Sequence, residues 1–136
     1  MVSMTVKALG NLQCEAVHGP SGAIINTDAP KDVGGNASAF SPTDLATVSL
    51  LNCILTTMGL AANKIGVDLT GAQGTVAKEM TSAPPRRIAR ITVVIDVPLQ
   101  PDADSKQKLE HAAFNCPVHL SLHPDIIQDI KINWIG

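Results

Sequence analysis

The chain has 136 residues, of which 45% are hydrophobic and 16% charged, and its formal net charge is -2. This composition predicts one globular domain over residues 1–136 and excludes a disordered chain. Aromatic residues make up only 2% of the chain and no basic run occurs, which excludes nucleic acid as the main partner.

Short alternating segments in the first third of the chain predict three β-strands. Their apolar positions are Met4, Val6 and Ala8 in the first strand, Leu12, Cys14 and Ala16 in the second, and residues 23–27 in the third. Glycine, proline and asparagine are frequent over residues 28–40, so this stretch is predicted to be a loop.

A helix start is the clearest local signal in the sequence. Ser41 suits the N-cap, Pro42 the first helical position and Asp44 the positive end of the helix dipole. The helix is predicted to run to about Asn63, with Gly66 beyond it as a stop. Its apolar side chains occupy almost every face, more than a chain of this length can cover by itself. We therefore expect an obligate homodimer in which a second subunit covers the remainder.

Two long strands are predicted after this helix. The first covers Val67 to Met80, where Gly71 and Gly74 indicate a bend or a bulge. The second covers Arg87 to Val97 and alternates between apolar and polar residues. The Pro84–Pro85 pair between them predicts a stiff turn.

The last third of the chain predicts a second amphipathic helix, capped by Asp102 or Asp104 and ending near Cys116. Pro117 breaks that helix and can start a short one, with Cys116 at its cap. Alternation over residues 130–134 then predicts a closing strand. The order βββ-α-ββ-α-β is that of an α+β fold with a mainly antiparallel sheet.

Three cysteines are too few, and odd in number, for a disulfide scaffold. Cys53 lies in the middle of the apolar helix, where a lone cysteine is usually a small buried hydrophobe. Cys116 lies at a cap position, where free N–H groups lower the pKa of a thiol. Both cysteines are predicted to face the core, and the sequence leaves open whether they meet. The N-terminus has no apolar stretch of signal-peptide length and no window has ~18 consecutive apolar residues, so we expect a cytoplasmic protein without a membrane partner.

Taken together, several motifs resemble those of the OsmC/Ohr family of organic hydroperoxide-reducing proteins, and the resemblance covers nearly the whole chain. The motifs are residues 40–45 with Cys53, residues 116–119 followed by 121–124, residues 78–88, and residues 27–30. The paired cysteine motifs at this separation are the most specific part of the resemblance.

This resemblance implies an intertwined homodimer with mainly antiparallel sheets around a long buried central helix. It also implies a thiol peroxidase cycle that uses no metal, haem or other cofactor. In that cycle Cys53 attacks an organic hydroperoxide and becomes a sulfenic acid, and Cys116 resolves it as an intramolecular disulfide. An external dithiol, a lipoyl group in that family, then reduces the disulfide.

The family pairs its reactive cysteine with an acidic residue at the start of the helix. That position matches Thr43 or Asp44, and we assign it to Asp44. Nine helical residues separate Asp44 from Cys53 by about 13–14 Å, on opposite faces, so Asp44 can reach a Cys53 only across a dimer. The alternative role for Asp44 is a first-turn carboxylate on the helix dipole.

The family also places an arginine from the N-terminal strands beside the reactive cysteine, and here the sequence departs from it. Those strands contain no arginine, and Gln13 occupies the best-matching position. A glutamine donates hydrogen bonds but brings no charge. Arg86, Arg87 or Arg90 are the candidates to replace the missing cation.

Other site types were weighed for the same residues. Cys116, His119 and His123 have the spacing of one helical face, but a zinc site needs a fourth ligand and two prolines interrupt that helix, so we expect no metal. Ser121, His123 and Asp125 are the residue types of a catalytic triad without its nucleophile elbow. The alternative function is an OsmC-like fold with weak or no peroxidase activity that binds an apolar small molecule at the dimer interface in a stress-related role.

Overall fold

A computed structural model describes all 136 residues and divides them into two compact units, residues 1–46 and 47–136. The strands are β1 (Met4–Gly10), β2 (Gln13–His18), β3 (Ile24–Asp28), β4 (Gln73–Met80), β5 (Ile88–Val97) and β6 (Ile127–Trp134). The helices are α1 (Pro42–Lys64), α2 (Ala103–Ala113) and α3 (Pro117–Ser121), with a 3-10 turn at Lys31–Val33. The predicted α+β class is confirmed.

The first unit contains an antiparallel sheet in the order β1-β2-β3. Val6, Ala16 and Ile25 form one row across this sheet. Lys7, Glu15 and Asn26 form the next row, and Lys7 Nζ lies 3.6 Å from Glu15 Oε1. Because successive residues of a strand point to opposite faces, the face with Val6, Ala16 and Ile25 is mainly apolar, whereas the opposite face is mixed and carries Val17 and Ile24 beside the charged pair.

The start of α1 agrees with the predicted cap. The Asp44 N–H donates to Ser41 Oγ at 3.1 Å, and the Ser41 N–H donates to Asp44 Oδ2 at 2.9 Å. This reciprocal pair satisfies two backbone donors at the helix start. The helix ends at Lys64, and Gly66 follows in the left-handed region at φ 71°.

The length and apolar character of α1 bear on the expectation that the protein has no membrane partner. By length and composition alone α1 could cross a membrane, although its apolar run is interrupted by threonine, serine and asparagine. In the structure Leu50, Ile54 and Met58 on one side of α1 are fully buried in the protein core. We therefore interpret α1 as the core helix of this fold.

The second unit contains a sheet in the order β4-β5-β6. β4 pairs with β5 antiparallel and β6 pairs with β5 parallel, so three of the four strand pairings of the protein are antiparallel, as predicted. The predicted alternation of β5 is confirmed, because Ile91, Val93, Ile95 and Val97 are fully buried. These side chains share one hydrophobic cluster with α1 and with Leu109 and Ala113 of α2.

The strand predicted from Val67 to Met80 is wrong over its first six residues, since β4 begins at Gln73. The backbone N–H and Oγ1 of Thr70 both donate to Asp68 Oδ1, at 2.9 and 2.7 Å. This local turn competes with strand pairing, and Gly71 follows it at φ 94°.

The helix caps near the end of the chain lie where the sequence predicts them. Asp102 caps α2 by accepting the Ser105 N–H at 2.7 Å. Cys116 is the N-cap of α3, and Pro117 is its first residue. Both features were predicted from residue type alone.

Removing the reciprocal cap of α1 tests its contribution to stability. We expect Ser41→Ala to lower the free energy of unfolding by about 1 kcal/mol, because the Asp44 N–H loses its acceptor. Urea denaturation followed by circular dichroism measures this change. Ser82→Ala, in an exposed turn, is the matched control and should stay within about 0.5 kcal/mol of the parent protein. Equal stability of the two variants would contradict this role of Ser41.

Candidate functional site

Cys53 lies in the middle of α1 and is half-buried at the edge of the hydrophobic cluster. Its Sγ accepts the backbone N–H of Val118, from the first turn of α3, at 3.5 Å. On its own helix, Sγ lies 3.9 Å from Oγ1 of Thr57, one turn later. The Cys53 sulfur is thus held by neutral hydrogen-bonding groups.

Cys116 lies between α2 and α3 and is fully buried. Its Sγ accepts the backbone N–H of His119 at 3.4 Å, which makes the thiol the side-chain cap of α3. The two residues whose amides contact the cysteines, Val118 and His119, are consecutive. The structure therefore brings together Cys53 and Cys116, which are 63 positions apart in the sequence, at one turn of helix.

The pKa of the Cys116 thiol is raised above its ordinary value. Burial is the main cause, and the neighbouring Cys53 side chain raises the pKa further. The His119 N–H acts in the opposite direction, but it does not outweigh burial. The expectation that the cap position gives Cys116 a lowered pKa is therefore wrong, and the reason is the loss of solvent around the sulfur.

The first turn of α3 is tied to β6 by two hydrogen bonds between His119 and Gln128. The Gln128 side-chain amide donates to the His119 carbonyl at 3.1 Å, so its Oε1 is the acceptor that faces His119 Nδ1, at 2.6 Å. This pairing holds the turn that presents the Val118 and His119 amides to the sulfurs.

The arginines proposed to replace the missing cation have other partners. Arg87 lies 3.5 Å from an oxygen of Asp125 and 3.2 Å from His123 Nδ1. Arg90 lies between Glu79 and Asp129, at 3.6 and 3.3 Å. Arg86 lines the surface beside the Pro84–Pro85 turn. Cys53 Sγ instead contacts Thr57 Oγ1 and the Val118 N–H, with the Cys116 thiol as a further neighbour.

Gln13, at the position that matches the family's arginine, pairs with Asp28 in the first unit. Asp28 is only 1% exposed, and its Oδ2 accepts both the backbone N–H and the hydroxyl of Ser38, at 3.0 and 2.6 Å. These two hydrogen bonds from Ser38 are the main reason that the pKa of Asp28 is lowered. Neutral donors thus support a buried carboxylate beside Gln13.

The remaining predicted site residues lie as follows. Asp44 is engaged in the reciprocal cap with Ser41, nine residues before Cys53 on the same helix. No group of three His, Cys, Asp or Glu side chains has an arrangement that could hold a metal ion. His123 Nδ1 accepts the Asp125 backbone N–H at 3.0 Å, so His123 and Asp125 form a local turn.

A family model described as OsmC-like protein matches residues 34–131. The chain belongs to the OsmC-like protein family. The match includes α1 with Cys53 and the Cys116–Pro117 cap of α3. No curated protein matches this sequence.

Solved structures of other OsmC-like proteins show the same fold. A protein of Psychrobacter arcticus 273-4, named for an osmotic stress induced and detoxification response, is 37% identical with a TM-score of 0.92, covering 98% of this chain and 96% of that one. The OsmC-like protein of Mycoplasma pneumoniae is 16% identical with a TM-score of 0.82, covering 100% and 98%. An organic hydroperoxide resistance protein OsmC of Legionella pneumophila is 12% identical with a TM-score of 0.77, covering 98% and 96%.

Sequence reasoning missed the groups that contact Cys53. Pro117 has no N–H, so the next two amides of α3 are the first free donors of that helix. The Cys-Pro pair was therefore a usable signal for donors near Cys116. Which sulfur each amide contacts depends on the packing of α3 against α1, which no local pattern encodes.

Cys116 should be the slowest of the three cysteines to react with iodoacetamide in the reduced native protein. Its sulfur is fully buried and its pKa is raised, so we expect alkylation about tenfold or more slower than that of Cys53 at neutral pH. Peptide mass spectrometry over a time course measures both rates. In denaturant the cysteines should react alike, and native Cys116 reacting before Cys53 would contradict the assigned burial.

Proposed function

We propose that the protein is a cysteine-based peroxidase that reduces organic hydroperoxides. The observation that supports this function best is the contact of Cys53 and Cys116 with the consecutive amides of Val118 and His119. Two thiols at one turn of helix can exchange between a dithiol and a disulfide. Membership of the OsmC-like family adds to this support.

The proposed cycle begins at Cys53. Its thiolate attacks the outer peroxide oxygen, the O–O bond breaks, and the departing alkoxide takes a proton to become an alcohol. Cys53 is then a sulfenic acid, oxidised by two electrons. The Cys116 sulfur attacks this sulfenic sulfur and releases water, so that a Cys53–Cys116 disulfide forms. An external dithiol, for which a lipoyl group is the expected example, returns two electrons and restores both thiols.

The exposure of the two thiols supports this assignment of roles. Cys53 is half-buried, so a substrate can reach its sulfur, whereas Cys116 is fully buried with a raised pKa. The Val118 N–H can donate to negative charge on Cys53 without a cation. Asp44 is assigned a supporting role from the partner subunit, in addition to its cap on α1.

The working unit in this proposal is a homodimer in the cytoplasm. The apolar face of the β1-β2-β3 sheet carries Met4, Val6, Ala16 and Ile25. Within one chain Val6 is 68% exposed and Ile25 48% exposed, which is unusual for large apolar side chains on one surface. A second copy of the chain is the partner that we propose for this face.

Variants of the two cysteines test the peroxidase cycle. We expect Cys53→Ser to abolish consumption of an organic hydroperoxide such as cumene hydroperoxide, because the attacking sulfur is lost. Cys116→Ser should still react once, and dimedone should trap its sulfenic acid. The matched control is Cys14→Ser, which removes the third cysteine and should leave turnover unchanged. Substrate loss and intact-mass spectrometry give the readouts.

Peptide mapping after stoichiometric hydroperoxide completes this test. The parent protein should contain a Cys53–Cys116 disulfide. Undiminished turnover by Cys53→Ser would rule the mechanism out. If wild-type Cys53 stays reduced under excess hydroperoxide while a small apolar molecule co-purifies with the protein, the binding function replaces the enzymatic one.

The dimer can be tested on the apolar face of the first sheet. We expect Val6→Glu to shift the protein toward monomer, because a carboxylate would be buried without a partner at the subunit contact. Thr5→Glu is the matched control, since Thr5 lies on the opposite face of β1. Analytical ultracentrifugation distinguishes the two states. Equal dissociation of both variants, or of neither, would contradict the proposed contact face.

A further inference from the structure

Thr57 follows Cys53 by one turn of α1. This spacing places the two side chains on the same side of the helix, and Thr57 Oγ1 lies 3.9 Å from Cys53 Sγ. Thr57 is half-buried and also lines an open groove of about 410 Å³ between α1 and α2. A hydroxyl group therefore lies next to the sulfur that reacts first in the proposed cycle.

The hydroxyl of Thr57 has a different neighbour from that of the adjacent Thr56. In a helix a threonine hydroxyl can donate to the backbone carbonyl of the preceding turn. Thr56 does so, since its Oγ1 donates to the Asn52 carbonyl at 2.8 Å. The hydroxyl of Thr57 instead has Cys53 Sγ as its hydrogen-bonding neighbour. Of two consecutive threonines, one thus serves the helix backbone and the other contacts the thiol.

The groups around the Cys53 sulfur differ in how freely they can donate. The Val118 N–H donates to Sγ at 3.5 Å, and the neighbouring Cys116 thiol also hydrogen-bonds to the Cys53 side chain. The amide proton has a fixed direction, and Cys116 loses its proton when the disulfide of the proposed cycle forms. The hydroxyl of Thr57 differs from both, because it can either donate or accept by rotating about its Cβ–Oγ1 bond.

Cys53 changes its hydrogen-bonding requirements during the proposed cycle. As a thiol it has a proton that it can donate, as a thiolate it only accepts, and as a sulfenic acid it has an S–OH group that does both. A hydrogen bond to an ionised acceptor is stronger than one to a neutral acceptor. A hydroxyl that turns to donate therefore stabilises the thiolate more than the thiol.

We infer that Thr57 is a catalytic residue whose hydroxyl donates a hydrogen bond to the Cys53 thiolate. The inference rests on the proposed peroxidase function for the reaction that this thiolate then carries out. The hydroxyl keeps its own proton throughout, so the proton that the thiol loses passes to solvent, and the departing alkoxide takes its proton from solvent. A hydroxyl and a backbone amide thus share the role expected of a cation.

Alkylation of the reduced full-length protein tests this inference without any peroxide. Thr57→Val removes the hydroxyl and keeps the branched shape of the side chain. We expect iodoacetamide to modify Cys53 about three- to tenfold more slowly in this variant at pH 7, because less thiolate is present. At about pH 10 the rates should converge, since a thiol then ionises without the hydrogen bond. Thr57→Ser keeps the hydroxyl and should restore most of the parent rate at pH 7.

Thr56→Val is the matched control. It makes the same chemical change one residue earlier, where the side chain is exposed and the hydroxyl contacts the Asn52 carbonyl. This variant should react at the parent rate at every pH. Peptide mass spectrometry over a time course gives the rate for Cys53 in each protein.

Four results would overturn the role of Thr57. They are equal rates in Thr57→Val and the parent protein at pH 7, an equal slowing by Thr56→Val, a Thr57→Ser variant as slow as Thr57→Val, and a deficit that persists at pH 10. The last result would mean that the substitution changes access to the sulfur rather than its ionisation.

A single turnover with cumene hydroperoxide separates this inference from the peroxidase function. Thr57→Val should be slowed by about the same factor as in alkylation, and Thr56→Val should match the parent protein. Consumption of hydroperoxide by a parent protein whose alkylation does not depend on Thr57 would keep the function and reject the role of Thr57. Alkylation that depends on Thr57 in a protein that consumes no hydroperoxide would keep the hydrogen bond to the thiolate and reject the function.

Discussion

The contact between two sulfurs and two consecutive backbone amides is the constraint on which the site depends. Pro117 contributes no N–H, so Val118 and His119 are the first donors of α3. Each donor would be unsatisfied at the start of a five-residue helix if no sulfur were present. Cys53 and Cys116 accept these two hydrogen bonds. The same two hydrogen bonds therefore hold α3 in place and keep the two thiols close to each other.

This turn is supported from two directions. The His119–Gln128 pair fixes it to β6, which pairs in parallel with β5. The buried residues of β5 pack against α1, which carries Cys53. The hydrophobic core of the second unit thus determines the distance between Cys53 and Cys116. A substitution in the core would therefore alter the site through β5 and β6, even where the substituted residue contacts neither sulfur.

Local patterns predicted the parts of this arrangement that are local. Three predicted features depend only on neighbouring residues, and each is found in the structure. They are the serine–proline–aspartate start of α1, the alternation of β5 and the Cys-Pro start of α3. The strand predicted from Val67 failed because Asp68 offers the backbone a competing turn. The raised pKa of Cys116 and the groove between α1 and α2 depend on which elements pack together. The periodicity of the sequence does not show which helices and strands pack together.

Within one chain the groups that contact Cys53 Sγ are neutral, and this changes how the order of the proposed cycle can be achieved. An arginine would favour negative charge on whichever sulfur lay nearer, but an amide gives a smaller, directional preference. Here the two thiols differ mainly through solvent, since Cys116 is buried and Cys53 is half-exposed. In the proposed cycle, burial would keep Cys116 protonated while Cys53 reacts. Once Cys53 is a sulfenic acid, the hydroxide that departs from it can take the Cys116 proton as the disulfide forms. Unequal burial can therefore impose the order of the two steps that a fixed cation would otherwise help to set.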